Sequence, residues 1–184
     1  MRKYNTEAIV LKNINYSDAD KIYTLLTQKY GKIAAIAKGV RRISSRRAGN
    51  LDSLNHVSLG IYEGSSKFKS IVEVKTISAF KDLKKSLERS LSGYYMAELI
   101  NKSLEEDSEA GMIFDLLRIA LGKLNDLDNQ PDEVVNSFEI KLMRLLGYQI
   151  PAERLKSMNK KELDRRIKSY IREILGEKFK SLEI

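Results

Sequence analysis

Hydrophobic residues recur with two different periods along the chain, and the change from one period to the other falls near residue 80. Before it, apolar and β-branched residues alternate with polar ones in short runs, which is the pattern of half-buried strands. Gly31 interrupts these runs and predicts a hairpin turn, because glycine adopts a positive φ at no steric cost. The pattern predicts strands at residues 7–13, 21–28, 32–38, 55–62 and 68–77, with a polar loop at 39–50.

After residue 80 the apolar residues are spaced as on one face of an α-helix. Pro131 is suited to the first turn of a helix, so a helix is predicted to begin there and to end at Gly147. Asn159, with Glu162 three residues later, forms a capping-box arrangement that predicts a last helix closed by Gly176. The predicted core stripes are Leu83, Leu87, Leu91 and Tyr94; Ile113, Leu116, Leu117, Ala120, Leu121 and Leu124; Val135, Phe138, Leu142, Leu145 and Leu146; and Leu163, Ile167, Tyr170, Ile171 and Ile174.

These patterns predict an α+β protein with two parts. Five short strands and one long loop favour a small antiparallel barrel, and the OB-fold is the commonest barrel of this size. We therefore expect an N-terminal OB-fold β-barrel over residues 1–80, followed by an α-helical domain over residues 81–184. No stretch rich in proline or glycine separates the two parts, so we expect them to be rigidly docked.

The composition narrows the class of protein. Of the 184 residues 42% are hydrophobic, which permits a sizeable core, yet no apolar run approaches the length of a membrane span. The first residues lack the apolar region of a secretory signal. Cysteine is absent, which excludes disulfides and thiolate metal sites and fits a reducing compartment. We expect a cytoplasmic, nucleoid-associated protein that needs no membrane, no cofactor and no metal.

The positive charge is concentrated at one end of the chain. Residues 1–47 contain eleven lysines and arginines and three acids, so this quarter carries the whole formal net charge of +8. The other residues hold twenty-two charges of each sign. Because a one-sided basic surface repels itself unless a polyanion neutralises it, nucleic acid is the first partner to consider.

The candidate nucleic-acid contacts lie in and beside the most basic segment, residues 29–47, which contains no acid. Candidates within or near it are Lys38, Arg41, Arg42, Arg46, Arg47, Lys12, Lys21, Lys29 and Lys32. The neighbouring aromatic residues are Tyr4, Tyr16, Tyr23 and Tyr30, and such rings can stack on bases. Tyr23 alternates with more apolar neighbours, which favours an outward orientation and makes it the preferred stacking candidate.

Catalytic patterns are weak by comparison. His56, the single histidine, alternates away from Val57 and is predicted on the outer face of its strand, with no serine or cysteine pattern to accompany it. Asp18 and Asp20 form an acidic pair that a metal-dependent nuclease would use, although such pairs are more often part of a turn. No phosphate-binding glycine loop is present. We therefore expect a protein that is not an enzyme.

Several segments share the pattern of one known family. They read A-I-V-L-K at 8–12, Y-S-D-A-D-K-I at 16–22, G-K-I-A-A-I-A-K-G-V-R-R at 31–42, L-G-I-Y-E-G at 59–64 and F-E-I-K-L-M-R-L-L-G-Y at 138–148. Together with residues 166–182, they resemble the RecO family of bacterial recombination mediators over nearly the whole chain. The K-G-V-R-R segment is the most specific of these matches.

The resemblance implies an OB-fold followed by an α-helical domain that binds single- and double-stranded DNA and anneals complementary strands. It implies cooperation with RecR and with the C-terminal tail of single-stranded-DNA-binding protein to load RecA. DNA contact carries over to Lys38, Arg41 and Arg42, which lie on the family's basic motif. Many RecO proteins have a cysteine-rich zinc insertion after L-G-Y, and this chain without cysteine is expected to bind no zinc there.

Three other functions are compatible with the residues alone. An RNA-binding OB protein of translation or RNA processing would carry the same basic segment. A metal-dependent nuclease would depend on Asp18, and a pure protein-interaction adaptor would not be retained on DNA at physiological salt.

Overall fold

The structure is a computed structural model that describes residues 1–43, 45, 47–148 and 160–175. The strands are β1 (Arg2–Tyr16), β2 (Asp20–Thr27), β3 (Gly31–Ala37), β4 (His56–Glu63) and β5 (Lys69–Ser78). The helices are α1 (Lys81–Lys85), α2 (Leu87–Ser103), α3 (Gly111–Asn125), α4 (Pro131–Leu145) and α5 (Lys160–Leu175). The predicted α+β class and the order of strands before helices are confirmed. The expected helix caps at Asn159 and Gly176 lie outside the described residues.

The five strands close into a barrel in the order β1-β2-β3-β5-β4. All neighbours are antiparallel except β3 and β5, which are parallel and pair only at Ala35 with Lys69 and at Ile36 with Ser70. This arrangement agrees with the predicted OB-fold. Strand β1 is longer than its hydrophobic pattern indicated, because its polar ends also pair, with β4 at one end and with β2 at the other.

Strand β1 separates two hydrophobic cores. Ala8 and Val10 point into the barrel, whereas Ile9 and Leu11 point outward into the core of the helices. Because side chains alternate between the faces of a strand, burial on both faces produces the continuous apolar run seen in the sequence. The helices therefore pack directly on the outer surface of the barrel, as the lack of a flexible joint predicted.

The first helical stripe is confirmed only at Leu83, which is fully buried in the helical core. Helix α1 ends at Lys85, and Ser86 is extended and caps α2 by accepting a hydrogen bond from Arg89 N–H. The helical phase restarts there, so Leu87 and Tyr94 are exposed. The buried face of α2 consists of Gly93, Tyr95, Met96, Ala97, Leu99 and Ile100.

The later stripes agree better with the structure. Helix α3 buries all of its predicted stripe except Leu116, which is partly buried. Helix α4 begins at Pro131 and buries Val135, Phe138 and Leu142, while Leu145 is exposed. Ile167 and Ile171 of α5 join the same core. No helix among the described residues has the length and apolar content needed to cross a membrane.

Candidate nucleic-acid interface

The basic loop, defined here as residues 38–47, is attached firmly to the barrel. Val40 inserts into the barrel core and is buried. The N–H of Gly39 donates to Asp20 Oδ1 over 2.7 Å, which ties the loop to the turn between β1 and β2. Asp20 therefore has a structural role in holding the loop. This agrees with the interpretation of the Asp18 and Asp20 pair as part of a turn.

Arg47 closes the far end of the basic loop. Its guanidinium donates to Ile71 O over 3.0 Å and to Lys38 O over 2.6 Å, so it joins the loop to strand β5. Arg47, which the sequence predicted to contact phosphate, is therefore partly buried, and its guanidinium binds backbone carbonyls. Arg46 lies outside the described residues.

Lys38, Arg41 and Arg42 are the exposed cations of the basic loop. Arg41 is oriented by two hydrogen bonds to the β1–β2 turn, from its N–H to Ala19 O over 2.9 Å and from its guanidinium to Ser17 O over 3.2 Å. Within the described part of the chain, none of the three forms a salt bridge with a carboxylate. Their charge is therefore available to a polyanion.

The outer face of β1, β2 and β3 extends from the basic loop. Lys12 pairs with Thr24, and Thr24 pairs with Ala34 across this face. The next row, closer to the basic loop, is Ile14, Ile22 and Ile36. The second and third strands of an OB-fold, with the loops beside them, form its usual surface for oligonucleotides. Lys12 is exposed at the end of this surface away from the basic loop.

Lys21 and Lys29 lie at opposite ends of β2. Lys21 is at the end near the basic loop, where its ammonium donates to Asn13 Oδ1 over 3.1 Å. An ammonium has three donors and a neutral amide leaves its charge uncompensated, so Lys21 adds to the positive field there. Lys29 is exposed in the turn after β2, at the far end of the strand. The structure therefore does not bring Lys29 together with the other candidates.

The outward orientation predicted for Tyr23 is wrong. Its side chain is 2% exposed and lies in the barrel core, where burial raises the pKa of its hydroxyl. The inward positions of β2 are Tyr23 and Leu25, and Leu26 points to the helices. The alternation gave no direction because both faces of β2 carry apolar residues, Ile22 and Leu26 outward as well as Tyr23 and Leu25 inward. Tyr23 cannot stack on a base from this position.

Lys32, another predicted DNA contact, does not lie on the exposed surface. It is buried between the barrel and the helices, and its ammonium donates to Asn101 O over 2.7 Å. Burial disfavours the charged form and lowers the pKa of Lys32, against the attraction of Glu106. This hydrogen bond joins β3 to the end of α2.

Lys67 and Phe68, in the turn between β4 and β5, were missed by the sequence analysis. The ring of Phe68 lies 5.7 Å from that of Tyr16, in an edge-to-face arrangement, and Lys67 Nζ lies 5.5 Å from the Phe68 centroid. Tyr16 ends β1, so these contacts place a cation and two rings beside the outer face of β1 to β3. The signal was a phenylalanine between two lysines, an interleaving typical of single-strand binders.

An acidic segment, residues 105–107, borders the same face at the end opposite the basic loop. The N–H of Asp107 donates to Lys32 O over 2.8 Å, and its carboxylate binds Lys69 Nζ over 2.6 Å. Glu106 is exposed beside it. Glu105 and Glu106 therefore place exposed carboxylates at this end of the face, while the carboxylate of Asp107 is paired with Lys69.

His56 lies on the outer face of β4, as predicted, but that face is covered. Its Nε2 lies 2.8 Å from Glu7 Oε2, and its ring contacts Phe114 of α3 edge-on, with 5.6 Å between centroids. The histidine is 6% exposed and belongs to the contact between barrel and helices. Among the described residues no cluster of three or more His, Cys, Asp or Glu side chains is arranged to hold a metal ion.

Comparison with known protein families and with curated proteins agrees with this architecture. Residues 1–80 match the family described as Recombination protein O N terminal, and residues 84–154 match Recombination protein O C terminal. A protein of a Thermoanaerobacter species named DNA repair protein RecO is 38% identical over 80% of this chain and 59% of its own length. A protein of the same name from Symbiobacterium thermophilum is 32% identical over 81% of this chain and 58% of its own length.

The chain spans between about half and two thirds of the length of the curated relatives it matches, from 51% to 65%. A further relative with the same name, from Caldanaerobacter subterraneus, is 32% identical over 88% of this chain. Both family matches fall on the two structural parts described above, with the barrel in the first and helices α2 to α4 in the second. The chain belongs to the RecO family.

Proposed function

We propose that this chain is a DNA repair and recombination mediator that binds single- and double-stranded DNA through its barrel. In this role it anneals complementary strands and, with RecR, helps to load RecA. The observation that carries the proposal is the group of three exposed cations, Lys38, Arg41 and Arg42, on a braced loop beside an OB-type face. Membership of a family whose relatives are named for DNA repair supports it.

The binding is expected to be independent of sequence. Lysine and arginine bind phosphates wherever they occur along the strand, and phosphate contacts carry no base information. Lys12 and Lys67 extend the positive surface beyond the loop, while the carboxylates at residues 105–107 limit it. Two strands held by their backbones, with their charge neutralised and their bases free, are in a favourable state to pair.

The proposal is tested by the salt dependence of DNA binding. Each lost phosphate contact should reduce the slope of log K against log salt by about 0.7 on single strands and about 0.9 on duplex DNA. We expect the triple variant Lys38→Ala, Arg41→Ala and Arg42→Ala to bind weakly to all sequences with a flatter slope. The matched control replaces three exposed cations elsewhere, Lys75, Lys81 and Arg144, by alanine.

Three results would contradict the proposal. An unchanged slope in the loop variant would remove the basic loop as the contact. Strong preference for a matched RNA over DNA would favour an RNA-binding function. Nicking of DNA with Mg²⁺, lost on Asp18→Asn, would favour a nuclease. Annealing of complementary strands, with and without single-stranded-DNA-binding protein on the DNA, then tests the mediator function itself.

A groove between α3 and α4 is a candidate site for the C-terminal tail of single-stranded-DNA-binding protein. Its floor is formed by Leu116, Ile119 and Phe138, and exposed Lys123 and Lys141 stand at its edge. A C-terminal tail ends in an α-carboxylate, which a lysine beside an apolar groove can bind. Acidic residues also line the groove and would repel a carboxylate. Lys123 and Lys141 are therefore the groups that would bind the α-carboxylate of the tail.

The tail site is tested with a tail peptide in free-acid and amidated forms. We expect the free acid to bind more tightly, and we expect the double variant Lys123→Ala and Lys141→Ala to remove this difference. DNA binding of that variant should remain normal. Equal binding of the two peptide forms by the unaltered protein would contradict the site while leaving the DNA proposal intact.

A further inference from the structure

Ile43 is a fully exposed apolar side chain at the tip of the basic loop, with a relative exposure of 108%. It directly follows the exposed Arg41 and Arg42. Turns normally present glycine, proline, asparagine, aspartate or serine to solvent, and a β-branched apolar residue is unusual there. Folding gains nothing from this side chain in its present position.

The loop holds Ile43 away from the protein surface. Ser45 N–H donates to Arg42 O over 2.9 Å, which ties together the backbone on the two sides of Ile43. The base of the loop is fixed by the Gly39 to Asp20 hydrogen bond and by the guanidinium of Arg47. The apolar tip is therefore presented on a braced support and does not fold back onto the barrel.

We propose that Ile43 is a wedge that inserts between neighbouring bases of the DNA bound by the basic loop; this inference rests on the proposed DNA-binding function. Arg41 and Arg42 would hold the phosphates on the same turn, which brings an apolar side chain to the edge of the base stack. Insertion of isoleucine and similar side chains between base steps is an established way to unstack nucleic acid. Between the bases, Ile43 buries the surface that it exposes in the free protein.

The wedge would give the site a preference for DNA that is already unpaired or mismatched. Unstacking costs least where bases lack a paired partner. A site that only clamps the backbone has no such preference, because phosphates are present in every form of DNA. Ile43 is thus a specificity-determining residue that directs a sequence-independent site to the unpaired substrates of annealing.

The alternative binding partner for an exposed isoleucine is another protein. The surroundings favour DNA, because residues 29–47 carry no acid and the two residues before Ile43 are arginines without carboxylate partners among the described residues. Apolar protein interfaces are depleted of charge at their centre, whereas Ile43 directly follows two exposed arginines.

The test uses single-stranded DNA that contains one 2-aminopurine, whose fluorescence is quenched by stacking and rises on unstacking. We expect binding of the full chain to raise the fluorescence and Ile43→Ser to lose that rise with an unchanged salt slope. Ile43→Leu should keep it, since the side chain remains apolar. Ile77→Ser, at a half-exposed isoleucine of β5, is the matched control and should also keep it.

The outcomes separate the wedge from the function on which it rests. If the protein binds DNA but Ile43→Ser gives the same fluorescence rise, or the unaltered protein gives none, the wedge is overturned and DNA binding stands. If the unaltered protein does not bind DNA, both fail. An effect of Ile43→Ser on a protein complex without any change in fluorescence would assign the residue to a protein partner and overturn the inference.

Discussion

At the scale of single residues, the most unusual group is the carboxyl of Glu139 in α4. It is fully buried, accepts a hydrogen bond from Tyr95 O–H, and leaves Oε2 without a hydrogen-bond partner among the described residues. Burial raises the pKa of Glu139 to about 7, against the Tyr95 hydrogen bond and the charge of Lys168 on α5, which lower it, while Asp164 adds to the rise. The neutral acid is therefore the form that the helical core favours.

This burial predicts the pH dependence of stability. Between the ordinary value of 4.5 and about 7 the native state holds a proton that the unfolded chain has lost, so stability falls as pH rises through this window. The fall from this group approaches about 1.4 kcal/mol per pH unit. Urea unfolding of Glu139→Gln from pH 5 to pH 8 should lack this component, whereas exposed Glu88→Gln should retain it. Parallel pH curves for both variants and the unaltered protein would contradict the prediction.

Gly31 gives a second residue-scale prediction. Its φ is +63°, and a Cβ there would lie 1.7 Å from Ser108 O on the segment between α2 and α3. Gly31→Ala should therefore cost more than the roughly 1–2 kcal/mol of a left-handed backbone alone, because backbone must also move. Urea unfolding measures this, with Gly49→Ala as control, since a Cβ at Gly49 meets nothing within 4 Å. Equal losses for both variants would show that the close contact is unimportant.

At the scale of elements, the barrel face is defined by what lies at its two ends. The basic loop is braced by Asp20 and Arg47, and the acidic segment at residues 105–107 is fastened to β3 and to Lys69. The cationic and acidic ends of this face thus come from two connections that are far apart in sequence.

Reversing one acidic charge should extend the binding surface. Glu106→Lys replaces an exposed carboxylate beside this face, and we expect tighter DNA binding with a salt slope steeper by about 0.7 on single strands if the lysine gains a phosphate. Glu88→Lys on α2 makes the same change of net charge away from the face. If both variants bind DNA equally well, the field along the face has no directing effect and only net charge matters.

At the scale of the whole molecule, barrel and helices share one core. The core formed by α2, α3 and α4 also buries four side chains from the N-terminal part, those of Ile9, Leu11, Leu26 and Leu54. Lys32 adds a hydrogen bond from β3 to Asn101 at the same junction. Neither part can retain this buried surface without the other, so the position of the outer face of β1 to β3 relative to the helices is fixed.

A shared core predicts a single unfolding transition. Leu26→Ala removes a fully buried side chain at the junction and should cost about 2–5 kcal/mol. Far-ultraviolet circular dichroism, which follows the helices, and tyrosine fluorescence should shift together to lower urea. The control Ile77→Ser, at an exposed position, should leave both unchanged. Separate transitions for the two signals would show that barrel and helices fold independently.

The sequence alone determined the order of five strands before the helices, the turn at Gly31, and the location of the net charge in residues 1–47. These properties are local, since they depend on the spacing of apolar residues, on backbone φ and on the count of charges. The tertiary structure decided which face points inward, and it buried Tyr23 in the barrel and Lys32 against the helices, because the alternation of a strand with apolar residues on both faces carries no direction. It also brought Lys67 and Phe68 beside Tyr16 and the acidic segment of residues 105–107 beside β3, since contacts between distant segments depend on strand order and packing.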